Sequence, residues 1–400
     1  MERVARGHVG HGVPAPAPSP QLCVTCIEAS ADLASLRPVW QALHDQDPRA
    51  TPFTSWEWAM SWWQAYGGDR ALRVLVFSDA DAVVAIAPLF VGLERLPVGR
   101  SRVLRLIGDG SHDSDHLGFV MRTGTEDRVE ARLADWLRER PDWDALRVRE
   151  LSEHSPLPAM LRRVADACRM KIAVDETPCS VLELPATFDA FLRERQARFR
   201  SKLRSLLRKV DDSSLVFETT VEPRELRARL RSLYRLHQQR WQAAGEPGVF
   251  GSRAKRVFYA HFVPRFARRG WLRLYSLRKD ETYVAHQLCF GTAGVTYLLQ
   301  EGFDVADPAA SHGQALRAAV IRHLIAGHER VYDFLGGVSR HKEDWGSRQG
   351  RMIHLVMARN TWRGYLYFKL PLWRASLAPV VKRVVPRSIL TRIRRLLVPA

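Results

Sequence analysis

The chain carries an internal copy of part of itself. Val84-Ala85-Ile86-Ala87-Pro88-Leu89-Phe90 lies 200 residues before Val284-Ala285-His286-Gln287-Leu288-Cys289-Phe290. Each copy follows a polar turn, Asp79 to Asp81 in one and Lys279 to Glu281 in the other. Each turn follows an apolar run, Leu72 to Phe77 and Leu272 to Leu277. Runs of this kind flanking a short polar turn read as paired strands. The shared context, more than the short match itself, points to a duplicated unit. At 400 residues the chain also exceeds the size at which one hydrophobic core keeps growing. The sequence therefore predicts two related domains, residues 21–177 and 178–358, joined around Val174 to Pro185. A leader at 1–20 and a tail at 359–400 flank them.

Inside each domain helical and strand patterns alternate. The first continues with a strand around Val103 to Ile107, helix Glu126 to Arg138, strand Ala145 to Leu151 and helix Leu157 to Cys168. The second opens with a basic helix, Thr187 to Val210, and two more helices, Pro223 to Ala243 and Arg253 to Arg269. Strands Leu272 to Leu277, Tyr283 to Phe290 and Val295 to Gln300 follow. Such alternation predicts an α/β layer fold with a mixed α+β sheet. A helix opening at Thr54 or Ser55 holds Trp56, Trp58, Trp62 and Trp63 and stops at Gly67. It reads as a helix packed on a sheet rather than as a ligand platform.

The formal charge of +18 suggests a polyanion partner until its distribution is read. Twelve Lys and Arg, and no acid, fall between Gly346 and Ala400. Eight more against Glu194 alone fall between Phe191 and Val210. The basicity is thus local, in a tail and one helix. Five irregularly spaced cysteines exclude a disulfide framework and suit a reducing cytoplasm. Cys23 and Cys26 form a C-x-x-C with no completing ligand pair, and the polar loop Gly108 to His116 has no metal-ligand spacing, so no metal is expected. That loop reads as facing an acceptor or the other domain. The leader has no apolar stretch of a secretory signal and reads as disordered. No apolar run is long enough to span a bilayer.

The candidate chemistry lies after the strand ending at Gln300. Glu301 to Pro308 leads to Ser311-His312-Gly313-Gln314-Ala315 and an apolar helix to Ala326, then a strand, Val331 to Leu335. A strand, a small-residue loop and a helix start aim free N–H groups at one spot, which suits a phosphate. Ser311 is a candidate cap, and Gly313 allows a ligand close to the backbone.

Gly302-Phe303-Asp304, Ser311, Gly313 and Leu316, then Val331-Tyr332-Asp333-Phe334-Leu335-Gly336-Gly337 and Lys342-Glu343-Asp344-Trp345-Gly346, resemble the signature of the BioF2-like acetyltransferases. These belong to the GNAT superfamily of N-acetyltransferases, are associated with bacterial cellulose or exopolysaccharide synthesis, and are related to the Fem-type aminoacyltransferases. The basic helix and Pro52-Phe53, Trp56, Trp58 and Trp62-Trp63 are also similar to that family. The resemblance spans roughly residues 22–355. It implies tandem GNAT-like domains, the second catalytic and the first non-catalytic, with acetyl-CoA or another acyl-CoA as co-substrate and an amine as acceptor. It places the donor at Ser311, His312, Gly313, Gln314 and Ala315, a stretch that departs from the usual Gln or Arg followed by Gly-x-Gly or Gly-x-Ala.

Direct attack of an amine on a thioester needs a base, oxyanion donors and an acid for the thiolate. Asp333 and His286 are the candidate bases. Gln287, Gln300, Glu301, Lys342 and Trp345 are candidate substrate contacts, Lys342 for an anionic group. In the tail, aromatic and aliphatic residues from Trp362 to Val398 interleave with Arg and Lys. This reads either as an anchor on an anionic inner-membrane surface or as helices packed on the body. The expected function is N-acyl transfer to an amine-bearing sugar, lipid or peptide, in cell-envelope or exopolysaccharide synthesis. Two alternatives stand: aminoacyl transfer from charged tRNA, and a non-catalytic membrane-docking partner of polysaccharide machinery.

Overall fold

The computed structural model describes residues 21–80, 82–219, 223–243, 245–246 and 248–370. The expected leader, Asp81 of the first turn and tail residues 371–400 lie outside the described residues.

The first half runs β1 (Cys23–Ile27), α1 (Ser30–Ser35), α2 (Arg37–Gln46), α3 (Trp56–Tyr66), β2 (Ala71–Asp79), β3 (Ala82–Arg95), β4 (Arg100–Leu106) and β5 (Val120–Met121). It continues through α4 (Glu126–Glu139), β6 (Ala145–Ser152) and α5 (Leu157–Ala167) into β7 (Lys171–Glu183). The second half holds α6 (Phe188–Arg193), α7 (Ala197–Asp211), β8 (Val216–Glu218), α8 (Pro223–Ala243), α9 (Arg253–Arg268), β9 (Leu272–Lys279), β10 (Thr282–Thr292) and β11 (Val295–Phe303). It ends with α10 (His312–Ala326), β12 (Val331–Gly336), α11 (Arg340–Asp344) and β13 (Arg348–Ala358).

Among the described residues the strands form one mixed sheet, ordered β1-β2-β3-β4-β6-β13-β7-β12-β11-β10-β9-β8, with β5 paired to β3. The expected α/β class with a mixed sheet is what the chain adopts. The repeat is visible as two antiparallel hairpins, β2–β3 and β9–β10, each followed by one parallel pairing, β4 with β6 and β11 with β12. The sheet is continuous through residues 177 and 178, which lie inside β7, where the sequence suggests a junction. β13 inserts between β6 and β7, so the end of the second half completes the sheet of the first.

The tryptophan helix is buried on all four indoles, as core packing requires. Trp58 meets Phe258, Phe262 and Phe266 of α9 and Phe290 of β10, at centroid distances of 4.9 to 5.8 Å. Aromatic contacts of this kind, each worth ~0.5–1.5 kcal/mol beyond area burial, clamp the two halves together. The basic helix expected over Thr187 to Val210 is two helices, broken at Glu194 to Gln196. Arg195 is buried there and donates to the carbonyls of Phe191 and Trp345, which turns the chain. The early part of the tail packs on the body: in a helix over 362–370, Tyr367 donates to Glu94 at 2.9 Å and accepts from Arg147 at 2.8 Å.

Candidate functional site

β11 and β12 run parallel for three residue pairs, Val295 to Tyr297 against Val331 to Asp333, and then part. The opening this leaves is the site's frame. Beside it the β10 ladder slips: Leu288 faces Gln300 while Cys289 faces Leu298, which makes Leu299 an extra residue. A bulge leaves its residue outside the ladder, so a backbone N–H is freed where the strands part. The first half has the corresponding parallel pair, Val103 to Arg105 against Ala145 to Arg147. There the chain re-enters the gap: Leu117 bridges Leu151 and donates its N–H to Glu150 O at 2.8 Å. That gap is filled by the protein itself.

Several sequence candidates meet on one face of the opening. Tyr332 donates to Gln287 at 2.9 Å, Gln287 donates to Glu301 at 2.6 Å, and Arg317 pairs with Glu301 at 2.7 Å. The Arg317 guanidinium lies over Phe334 and Trp345, 5.4 and 5.5 Å from their centroids. Trp345 is fully buried against Phe199, so it supports the wall and offers no contact surface. Gln300, the next residue along β11 from Glu301, reaches the opposite face, where its amide lies 3.4 Å from Asp113 of the first half.

Ser311, His312, Gly313 and Gln314 do line a cavity with Glu301, of about 310 Å3, at the start of α10. Ala315 is buried in the helix behind it. Two sequence expectations are corrected here. Ser311 adopts a left-handed backbone (φ 53°) and its side chain caps no N–H. A Cβ on Gly313 would lie 2.6 Å from the Phe303 ring, so glycine serves strand–helix packing at this position. Asp304 and Asp307, in the same cavity, accept from Ala306 N at 2.9 Å and from Ala309 N and Ala310 N at 3.1 and 3.2 Å. His312 is 6% exposed and its Nδ1 has no partner among the described residues.

His286 stands apart, on β10, hydrogen-bonded to Ser276 at 2.8 Å and fully buried. Burial, then the nearby Arg229 and Arg235, push its pKa down to about 3, which removes it as a proton acceptor near neutrality. Lys342 is likewise committed. Its ammonium lies 3.1, 3.3, 2.8 and 3.0 Å from the carbonyls of Phe334, Leu335, Gly336 and Gly337, more acceptors than its three protons can serve. It staples the loop after β12 instead of awaiting an anion.

Asp333 is buried at the last position of β12 that pairs with β11. Its carboxylate accepts from Leu335 N at 2.7 Å and is 2.8 Å from Nε2 of His116, in the first half. Around them sit Asp115, which accepts from Gly336 N at 2.8 Å, and Glu150. Burial, then repulsion from Asp115, raises Glu150 to about 7. Burial would lower His116, but Asp333 foremost, with Asp115 and Glu150, raises it above the ordinary histidine value. The loop Gly108 to His116 thus faces the other half, as its polarity suggested. His116 itself carries no sequence motif; only the fold brings it to Asp333.

Residues 197–343 match the family described as acetyltransferase (GNAT) domain. Among solved structures, FemX is similar with a TM-score of 0.56 at 11% identity, over 82% of this chain and 96% of that one. A conserved protein of unknown function from Bacteroides thetaiotaomicron gives 0.50 at 10% identity, over 84% and 100%. The C-terminal domain of a putative lysylphosphatidylglycerol synthetase from Agrobacterium fabrum gives 0.49 at 14% identity, over 87% and 97%. No curated protein matches the chain. At these identities the likeness is one of fold, and the GNAT description applies to residues 197–343.

Proposed function

We propose that this chain is an acyltransferase that moves an acyl group, acetyl in the simplest case, from acyl-CoA to an amine. One coincidence carries the reading: the GNAT-domain match spans the parted strands, the Leu299 bulge and α10 together. A thioester lying between β11 and β12 would have the freed backbone N–H beside its carbonyl, where an oxyanion develops. Glu301, Gln287 and Arg317 hold the opening's shape. Ser311, His312, Gly313 and Gln314 flank the donor farther out. In that outer cavity the N-terminus of α10 favours a phosphate, while the carboxylates of Asp304 and Asp307 oppose one.

Thermal unfolding with acetyl-CoA tests this, since a ligand at ~100 times its dissociation constant adds ~2.7 kcal/mol. Absence of a shift with any acyl-CoA would refute the proposal and leave the tRNA-dependent and non-catalytic readings. The acceptor in this proposal is an amine of cell-envelope or exopolysaccharide synthesis, at the inner membrane, in line with the family resemblance. A second reading, aminoacyl transfer from charged tRNA, has one observation in its favour: Arg198, Lys202, Arg204, Arg208 and Lys209 of α7 are all exposed. Activity that disappears on RNase treatment and is absent with purified acyl-CoA would establish it.

A further inference from the structure

We propose that His116, supplied by the first half, is the base that takes the proton from the attacking amine, that Asp333 positions it, and that a small polar primary amine is held in the adjoining cavity of the first half. The inference rests on the acyl-transfer reading above and names the residue and the acceptor class for that same site.

The placement comes first. Asp333 and Tyr297 are the last paired residues before β12 and β11 separate, and His116 touches both. Its Nε2 is 2.8 Å from the Asp333 carboxylate, and its ring centroid is 5.6 Å from that of Tyr297. The imidazole therefore stands where the two strands begin to part, against Tyr297, two residues before the Leu299 bulge. A carboxylate at Nε2 fixes the proton there and leaves the lone pair on Nδ1, the arrangement an imidazole base needs. Nδ1 has no hydrogen-bond partner among the described residues, while the side chain keeps 13% exposure.

His116 also lines a cavity of about 270 Å3 whose wall includes Thr51, Thr54, Ser152, His154 and Ser155. This is near the small end of ligand cavities (~300–1,000 Å3), room for one sugar-sized or amino-alcohol-sized group. Hydroxyl-rich walls suit a polar acceptor. The charged groups around His116 are Asp333 from β12, Asp115 from its own loop and Glu150 from β6, and the cavity wall adds Asp47 and Arg49, which pair with each other at 3.0 Å; acids outnumber the one cation, which favours an amine-bearing guest.

Backbone strain marks the same point. His116, Glu150 and Leu335 all hold left-handed conformations, φ 48°, 57° and 60°, without being glycine. Each costs roughly 1–3 kcal/mol and persists only where surrounding contacts impose it. Here those contacts are the Asp115 bond to Gly336 N and the Lys342 staple.

The step balances. The amine nitrogen bonds the thioester carbonyl carbon, the carbon–sulfur bond breaks, and the proton lost by nitrogen passes to Nδ1 of His116 and on to the departing thiolate. The products are an amide and free CoA thiol.

The test measures thiol release from acetyl-CoA by the full chain, with glucosamine and ethanolamine as probe amines, across pH. The wild type should transfer to at least one probe. His116→Gln and His116→Asn should lose 100-fold or more in kcat, within the range for a general base. Their acetyl-CoA thermal shift should stay unchanged. Wild-type activity should rise with pH through a limb above 6.5, and Asp333→Asn should move that limb to lower pH by removing the charge that raises it. Should the His116 variants fold poorly, the limb of Asp333→Asn decides. His116 variants with wild-type rate, or an unmoved limb, overturn the base assignment while leaving the acyl-CoA reading intact. A wild type that binds acetyl-CoA but transfers to neither probe overturns the acceptor assignment. A wild type that binds no acetyl-CoA overturns the reading beneath both.

Discussion

Lys342→Met separates two roles for one residue. As read from sequence, Lys342 grips an anionic substrate; in the structure its ammonium is spread over four carbonyls at 2.8 to 3.3 Å. Methionine keeps the aliphatic stem and removes the donors. The carbonyls of Gly336 and Gly337 are exposed and rebond to water at little cost. Those of Phe334 and Leu335 are partly buried, and at ~1–1.5 kcal/mol for each hydrogen bond lost the variant should be ~2–3 kcal/mol less stable. Leu335, left-handed at φ 60°, is then free to relax, and Asp333, which binds Leu335 N, moves with it. Urea unfolding followed by tryptophan fluorescence reads the stability. Calorimetric titration with acetyl-CoA should give the wild-type dissociation constant. Unchanged stability with weakened acetyl-CoA binding would refute the staple and restore the anion-binding role.

Three further outcomes follow from the geometry. Arg317→Met leaves Glu301 with Gln287 and, at 3.6 Å, Arg240, and should cost ~1–3 kcal/mol in urea unfolding. Arg317→Met with Glu301→Gln should recover most of it, and no recovery would mean the pair is not the cause. Gly302→Ala would put a Cβ 2.7 Å from His237 N and 2.8 Å from Leu233 O, backbone atoms of α8 that cannot swing away. A loss of ~1–3 kcal/mol on the same assay is expected. Glu150, raised from 4.5 to about 7, binds more protons folded than unfolded between those values, so stability should fall as pH rises through that window. Allowing for its partial exposure the effect is about 2 kcal/mol, and Glu150→Gln should flatten unfolding curves taken from pH 5 to 8.

How much of this was legible beforehand differs by residue. The hairpins β2–β3 and β9–β10 were legible because alternation and turn chemistry are local. So was the burial of Trp56, Trp58, Trp62 and Trp63, because helical spacing of large apolar side chains demands a partner surface. β7 was not: Val174 to Pro178 is exposed and polar, and reads as a connection until β13 arrives from far along the chain to pair with it. The break at Glu194 to Gln196 has no glycine or proline to announce it.

In the site, Glu301, Gln287 and Asp333 lie on the strands read from the sequence, but that β11 and β12 part beside them was not legible there. His286 and Lys342 have the right chemistry in the wrong surroundings, since no local pattern tells a buried imidazole from an open one or counts the carbonyls around an ammonium. The sequence by itself determined the repeat, the α/β class and the strands that carry the site, because these rest on periodicity and turn propensity. Only the tertiary structure decided that Asp333 faces His116, 217 residues away in the chain, and that one gap between parallel strands is plugged while the other is open. Those are matters of long-range approach, settled by packing between halves that no neighbouring residues encode.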